Sequence, residues 1–189
     1  QGPGVYSAYI ADGNNLLTSV TFTRNIVSAA NTRIQWEIIE YVGPTGGPNE
    51  IRVKEQTSLT IGSGSLTITG GSITDFQNIN DAVPFITGWT VDSGTASESN
   101  RGLFAGAWRP LAGSFNPIFA RKTSGTAATV SYAAVEFIGK NWEIQAVEHA
   151  FTGVTGQENV EQFIHDVNKA FVHVQFDTNS GANDEAGVK

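Results

Sequence analysis

The sequence contains no cysteine in its 189 residues. Disulfides, Cys-ligated zinc, iron–sulfur clusters and thiol catalysis are thereby excluded, while the redox compartment stays open, since a cysteine-free chain fits any of them. Methionine is absent too, even at position 1, so the start at Gln1 reads as a processed product or an excerpt of a longer chain. Charge is scarce. Charged residues make up 15% of the chain, against about 25% in ordinary globular domains. The polar surface must then be built largely from Ser, Thr, Asn and Gln, which suits extracellular or virion proteins that pack against copies of themselves. Net charge is -7, and the 11 basic residues are scattered. Nucleic acid is therefore not an expected partner, because phosphate contacts need clustered Lys and Arg, and an anionic membrane surface is disfavoured for the same reason. No apolar run approaches the roughly 18 residues of a membrane span, so membrane insertion is not expected. Neither a signal peptide nor an Asn-x-Ser/Thr sequon is present.

Helical spacing is almost missing as well. Only Glu158 to Lys169 carries it, with Val160, Phe163, Ile164 and Val167 on one face. What fills the chain is β pattern: Ser19–Arg24, Ile34–Val42, Ile51–Lys54, Leu66–Thr69, Pro84–Val91, Phe115–Arg121, Thr129–Ile138, Glu143–Val147 and Ala170–Phe176. Turn clusters separate these runs at 44–49, 62–65, 69–72 and 92–100. With 40% hydrophobic residues to fill a core, short strands broken by Gly, Ser and Asn read as an all-β, antiparallel sandwich architecture.

The strands are written about twice. IQWEIIEYVG at Ile34–Gly43 returns 96 positions later as VSYAAVEFIG at Val130–Gly139. Apolar meets apolar at Ile34/Val130, Trp36/Tyr132, Ile39/Val135, Tyr41/Phe137 and Val42/Ile138, and Glu40 meets Glu136. EIRVKE at 50–55 returns as EIQAVE at 143–148, an offset of 93. INDAVPFI at 79–86 returns as VNKAFVHV at 167–174, an offset of 88, and Phe22-Thr23-Arg24 as Phe119-Ala120-Arg121, an offset of 97. Four matches in one order, with offsets that drift only through loops, are the mark of duplication with loop insertions and deletions.

The phase of the repeat sets the expected domains. Residues 50–139 form one contiguous β-sandwich unit. Residues 1–43 correspond to the second half of a unit and 143–189 to the first half. Half a sandwich exposes strand edges and one side of its core. The two halves are expected to build the second sandwich together, within one chain or between neighbouring chains. Within Ile34–Tyr41 and Val130–Phe137 the apolar set changes face midway, which requires a bulge or cover on both faces. Trp36 and Tyr132 are expected in the core.

The endings Trp36–Tyr41 and Tyr132–Phe137, with the run INDAVPFITGWTVDSGT, resemble the β-sandwich repeats of tailed-phage tail and fibre proteins, whose units end in an apolar strand of the form V-x-W/Y-x-V-V-E-F/Y. More loosely, the unit resembles the H-type lectin module, a six-stranded sandwich whose last strand carries an aromatic followed by a small residue. The first resemblance implies a structural virion component, and the second a carbohydrate-binding one.

Few constellations point to chemistry. Glu40/Glu136 and Glu55/Glu148 recur in both copies, and glycoside hydrolysis would need two such carboxylates about 5 Å or 6.5–9.5 Å apart. A charge that recurs near a strand end is better read as a structural ion pair, with Arg24 or Arg121 as candidate partners, or as an interface residue. His149, His165 and His173 lack metal-ligand spacing. Asp177, Asn179, Asn183, Asp184 and Glu185 offer oxygen ligands without the spacing of an EF-hand, and read as a solvated loop. Gly62-Ser63-Gly64-Ser65 is a hairpin turn with no phosphate-binding lysine. No catalytic residue, metal site or cofactor is assigned. Trp108 beside Arg109, together with Trp89, is the candidate interface or glycan contact. Its alternative is an aromatic lid over the sandwich end.

These readings converge on a non-catalytic virion structural protein of a tailed phage: a tail, fibre or head-decoration component. Its expected partners are copies of itself, other virion proteins and a host-surface glycan. The alternative is a secreted or surface lectin-like adhesin.

Overall fold

A computed structural model describes residues 37–91, 104–111, 114–122, 124–145 and 169–175, together with the backbone of two short strands at 6–9 and 21–24. The described chain is all-β. Strands β1 (Tyr6–Tyr9) and β2 (Thr21–Arg24) form an antiparallel pair. Strands β3 (Ile51–Ile61), β4 (Thr67–Thr69), β5 (Ala82–Val91), β6 (Ala105–Leu111), β7 (Ser114–Ala120) and β8 (Ala128–Phe137) follow, with a 3-10 turn at Ile79–Asp81. They form two three-stranded antiparallel sheets, in the orders β3-β8-β5 and β4-β7-β6. No helix among the described residues is long and apolar enough to cross a membrane.

The sheets share one core. Ile61, Val91, Ala128, Val130, Tyr132 and Ala134 of the first sheet bury against Phe119 of the second, with Ile73 and Phe104 from the connections and Leu59, Ile68, Ile86, Trp89 and Trp108 partly buried around them. The ring centroids of Phe119 and Tyr132 meet at 4.8 Å across the sheets. Tyr132 is fully buried, as the sequence led us to expect; Trp36 lies outside the described residues.

The change of apolar face in β8 is accommodated by cover on both sides. Val130, Tyr132 and Ala134 point into the sandwich. Ala133, Val135 and Phe137 form a second cluster on the outer face with Ile51, Val83, Phe85 and Ile144. A central strand buried on both faces can be apolar throughout. The bulges lie instead in its neighbours: the register shifts between Val53 and Glu55 in β3 and between Ile86 and Gly88 in β5. The second bulge keeps Trp89 and Val91 on the inner side after Ile86.

Three expected strands differ from the structure where it describes them. Residues 37–42, 143–145 and 170–175 carry no strand. Strand pattern supplies propensity, but a ladder also needs a partner with free backbone groups, and none among the described residues pairs with these segments. The segment 158–169, read as helical, lies outside the described residues except for Lys169, which is in a 3-10 conformation.

Candidate functional site

Because β3 and β8 are antiparallel neighbours with Ile51 opposite Phe137, the chain enters and leaves this sandwich at the same end. That end also holds the start of β5 and most of the polar chemistry. The bulge in β3 leaves Lys54 as the extra residue opposite no residue of β8, and bulges re-aim side chains in this way. Its Nζ lies 3.1 Å from Glu136 Oε2, 2.9 Å from the Asp75 carbonyl and 5.7 Å from the centroid of the Phe76 ring. Asp75 itself has φ 63°, a left-handed conformation that Asp tolerates better than most residues. Glu136 Oε1 accepts from the backbone N–H groups of Gln77 and Asn78. Asn78 then caps the 3-10 turn, accepting from Asn80 N at 3.1 Å. One buried carboxylate thus ties β8 to the bulge of β3 and to the connection into β5. The structural ion pair read from the sequence is present at Glu136, but its partner is Lys54 and not Arg121.

Arg121 works at the opposite end. It is fully buried and donates to the carbonyls of Ser65, Thr126 and Gly62 at 3.0, 2.8 and 2.9 Å. The 62–65 turn, closed by Ser65 N to Gly62 O, is held by this clamp. The side chain of Arg24 lies outside the described residues. Glu55, the other repeated carboxylate, accepts the hydroxyl of Tyr132; burial, and then the hydrogen bond to Glu55, push the Tyr132 phenol well above the usual range.

The Trp108 indole N–H donates to the Ala82 carbonyl at 2.9 Å. Its ring meets Phe76 edge-on at 5.2 Å, and Phe76 meets Phe115 at 6.0 Å. Trp108 is thus anchored at the entry–exit end, partly buried against the core. Trp89 packs on the same core from β5. Arg109 sits opposite Asn116 in the β6–β7 register; its side chain lies outside the described residues. The sequence did not disclose the Lys54 node, because the pattern EIRVKE gives no sign of a bulge.

Two loops are joined at this end. Ile138 and Gly139 donate to the Glu50 carbonyl, and Asn141 N donates to the Pro48 carbonyl. Glu50 accepts from Gly46 N and from Arg52 Nε at 2.7 Å. The Gly46 amide first, and then Arg52, hold this carboxyl below its usual range.

The chain beyond Gly139 turns onto the outer face of the β3-β8-β5 sheet. Trp142 meets Phe137 at 5.0 Å, Ile144 joins the outer cluster, and His173 meets Phe85 at 4.6 Å. Partial burial lowers the His173 pKa. Gln175 reaches across the edge between the sheets, accepting from Gly106 N at 2.9 Å and donating to the Pro84 carbonyl at 3.0 Å. His149, His165 and the acidic run Asp177, Asn179, Asn183, Asp184 and Glu185 lie outside the described residues. Among the described residues, no group of three side chains is placed to hold a metal ion.

No family model matches the chain, and no curated protein or solved structure shows significant similarity to it.

Proposed function

We propose that the chain is a non-catalytic structural subunit, built to assemble with copies of itself, as suits a tail, fibre or head-decoration component of a tailed-phage virion. The observation that carries this reading is the pair of apolar segments, before and after the six strands in sequence, that pair with no strand among the described residues. Ile38, Ile39 and Val42 on one side, and Phe171, Val172 and Val174 on the other, are all exposed. Isolated exposed apolar residues are ordinary, but contiguous ones mark interaction surfaces. The polar nodes support the same reading: Glu136 Oε1 and the Arg121 guanidinium hold connecting segments, and Glu136 Oε2 is paired with Lys54. The low charge and the duplicated sequence fit a subunit that packs in regular arrays.

The test is sedimentation velocity and electron microscopy of the purified chain across a concentration series. Regular oligomers or filaments are expected; a chain that stays monomeric at every concentration overturns the proposal. A lectin-like adhesin is the second reading, favoured by the six strands of β3–β8. Binding on a glycan array by the monomeric chain, lost on substituting residues of the sandwich loops, would support it in place of the first.

A further inference from the structure

We infer that residues 37–40 of one copy add as an antiparallel strand to residues 170–173 of a second copy, with Ile38 opposite Val172. This rests on the chain being an assembly subunit, and it names the segments and the register through which assembly proceeds.

The register comes from the repeat. In the described sandwich, β5 pairs with β8 so that Val83 faces Val135, Pro84 faces Ala134 and Phe85 faces Ala133. Carrying β5 forward by 88 positions and β8 back by 96, the offsets of their sequence matches, places Phe171 opposite Ile39, Val172 opposite Ile38 and His173 opposite Glu37. Each pair is apolar with apolar or base with acid, the combinations that stabilise cross-strand neighbours. The local structure agrees: Asp81 ends the 3-10 turn that precedes β5, and its counterpart Lys169 is also in a 3-10 conformation, directly before 170–175.

Both segments are poised for a partner from outside. Residues 169–175 are held against their own sandwich by Gln175 and His173, while Phe171 and Val172 remain 72% and 86% exposed. Residues 37–42 leave the sandwich through a fixed connector. Tyr41 donates to the Pro44 carbonyl at 3.0 Å, Gly47 N donates to the same oxygen, and Glu50 holds Gly46. Ile39 and Val42 are 83% and 87% exposed. A molecule that carries two complementary segments outside its own sheets at different places makes a heterologous, head-to-tail contact, which propagates into rings or filaments. Strand addition of this kind satisfies the backbone groups that each segment leaves open.

The absence of cysteine makes a clean test. Chains carrying I38C and chains carrying V172C are prepared separately, mixed and oxidised. A mixed disulfide dimer of twice the chain mass is expected, in excess over either homodimer. Mixing I39C with V172C, one residue out of register and on opposite faces, should give little. If the I38C/V172C double variant closes a cross-link only within its own chain, the second-copy assignment is overturned. If no cross-link forms although sedimentation shows assembly, this inference fails and the subunit reading stands; a monomer throughout sinks both. Should a variant not fold, the unmodified chain still decides. Amide protection over 37–40 and 170–173 must rise with concentration, and protection independent of concentration overturns the proposal.

Discussion

Lys54 and Glu136 meet across the β3–β8 pair with Nζ 3.1 Å from Oε2 and with only 7% and 1% of their side chains exposed. A buried ion pair of this kind is costly to break from one side, because the remaining charge is stranded away from water.

Glu136→Leu should therefore destabilise the chain by about 3–5 kcal/mol, and Lys54→Met by a similar amount. Glu136→Gln should cost less, since its amide oxygen still accepts from Gln77 and Asn78. The double substitution should recover much of the loss, as expected for two residues that share one interaction. Urea unfolding of the four variants measures this; strict additivity would show that the pair is not coupled.

Gly139 and Gly43 hold the same place in the repeat, yet they differ in what surrounds them. A Cβ on Gly139 would lie 2.2 Å from the Pro48 carbonyl oxygen, which is backbone that cannot step aside. A Cβ on Gly43 would meet the tip of the Tyr41 side chain, which can rotate away. Gly139→Ala should cost about 1–3 kcal/mol through overpacking, and Gly43→Ala less than about 0.5 kcal/mol. Thermal melts of the two variants compare them directly, and equal losses would contradict the loop geometry at 48–50 and 138–141.

How much of this was legible in the sequence differs by element. The inward-facing set of β8, with Tyr132 at its centre, follows from alternation. The mid-strand change of side demanded a bulge or cover on the second face, and the structure supplies the cover. β3 was expected over 51–54 but runs to Ile61, because QTSLT alternates with polar residues that lie beside β8 rather than in turns. β6 was not foreseen at all. AGAWRPL holds a glycine and a proline, and Pro110 is tolerated in a strand because β6 is an edge of its sheet. Ile34–Val42 failed in the other direction. Its pattern matches β8 almost residue for residue, yet 37–42 is not a strand, since pattern reports what a segment prefers and not whether a neighbour is present. The ion pair at Glu136 was foreseen in kind, but the bulge that brings in Lys54 leaves no trace in residue spacing.

Glu50 should contribute to the acid response. The Gly46 amide and Arg52 hold its carboxyl below the usual range in the folded chain, whereas the unfolded chain takes up that proton near pH ~4.3. The stability from this site is complete above the unfolded value and is lost as pH falls through the folded one. Glu50→Gln should flatten the fall in melting temperature between about pH 5 and pH 3. An unchanged slope would assign the acid sensitivity elsewhere.

Tyr132 joins the core to Glu55 through its hydroxyl. Tyr132→Phe keeps the ring against Phe119 but removes the charge-assisted hydrogen bond, worth about 1.5–3 kcal/mol. Tyr132→Ala removes the ring as well and should cost about 3–5 kcal/mol. With the phenol pushed up by burial and then by Glu55, at least one of the four tyrosines should fail to ionise in an absorbance titration through pH ~10, until the fold itself melts. A full phenolate signal from the folded chain would place Tyr132 in water.

The strongest separation of fold from function is expected at Ile39 and Val42. Both side chains lie almost wholly in solvent, 83% and 87% exposed, so neither contributes packing that an aspartate would destroy. Surface substitutions of this kind ordinarily change stability by no more than about 0.5 kcal/mol. Within the assembled strand Ile39 would lie against Phe171 of a second copy, with Val42 just beyond the paired residues, and a carboxylate at Ile39 would be desolvated without a partner, a cost of several kcal/mol. Ile39→Asp with Val42→Asp should leave the melting temperature of the isolated chain unchanged and shift sedimentation from oligomer to monomer. Val135 makes the contrast. It belongs to the outer-face cluster, so Val135→Asp should unfold the sandwich itself. If Ile39→Asp with Val42→Asp melts the chain as Val135→Asp does, the 37–42 segment belongs to a core within the chain. If it neither melts the chain nor alters its mass, this segment takes no part in assembly.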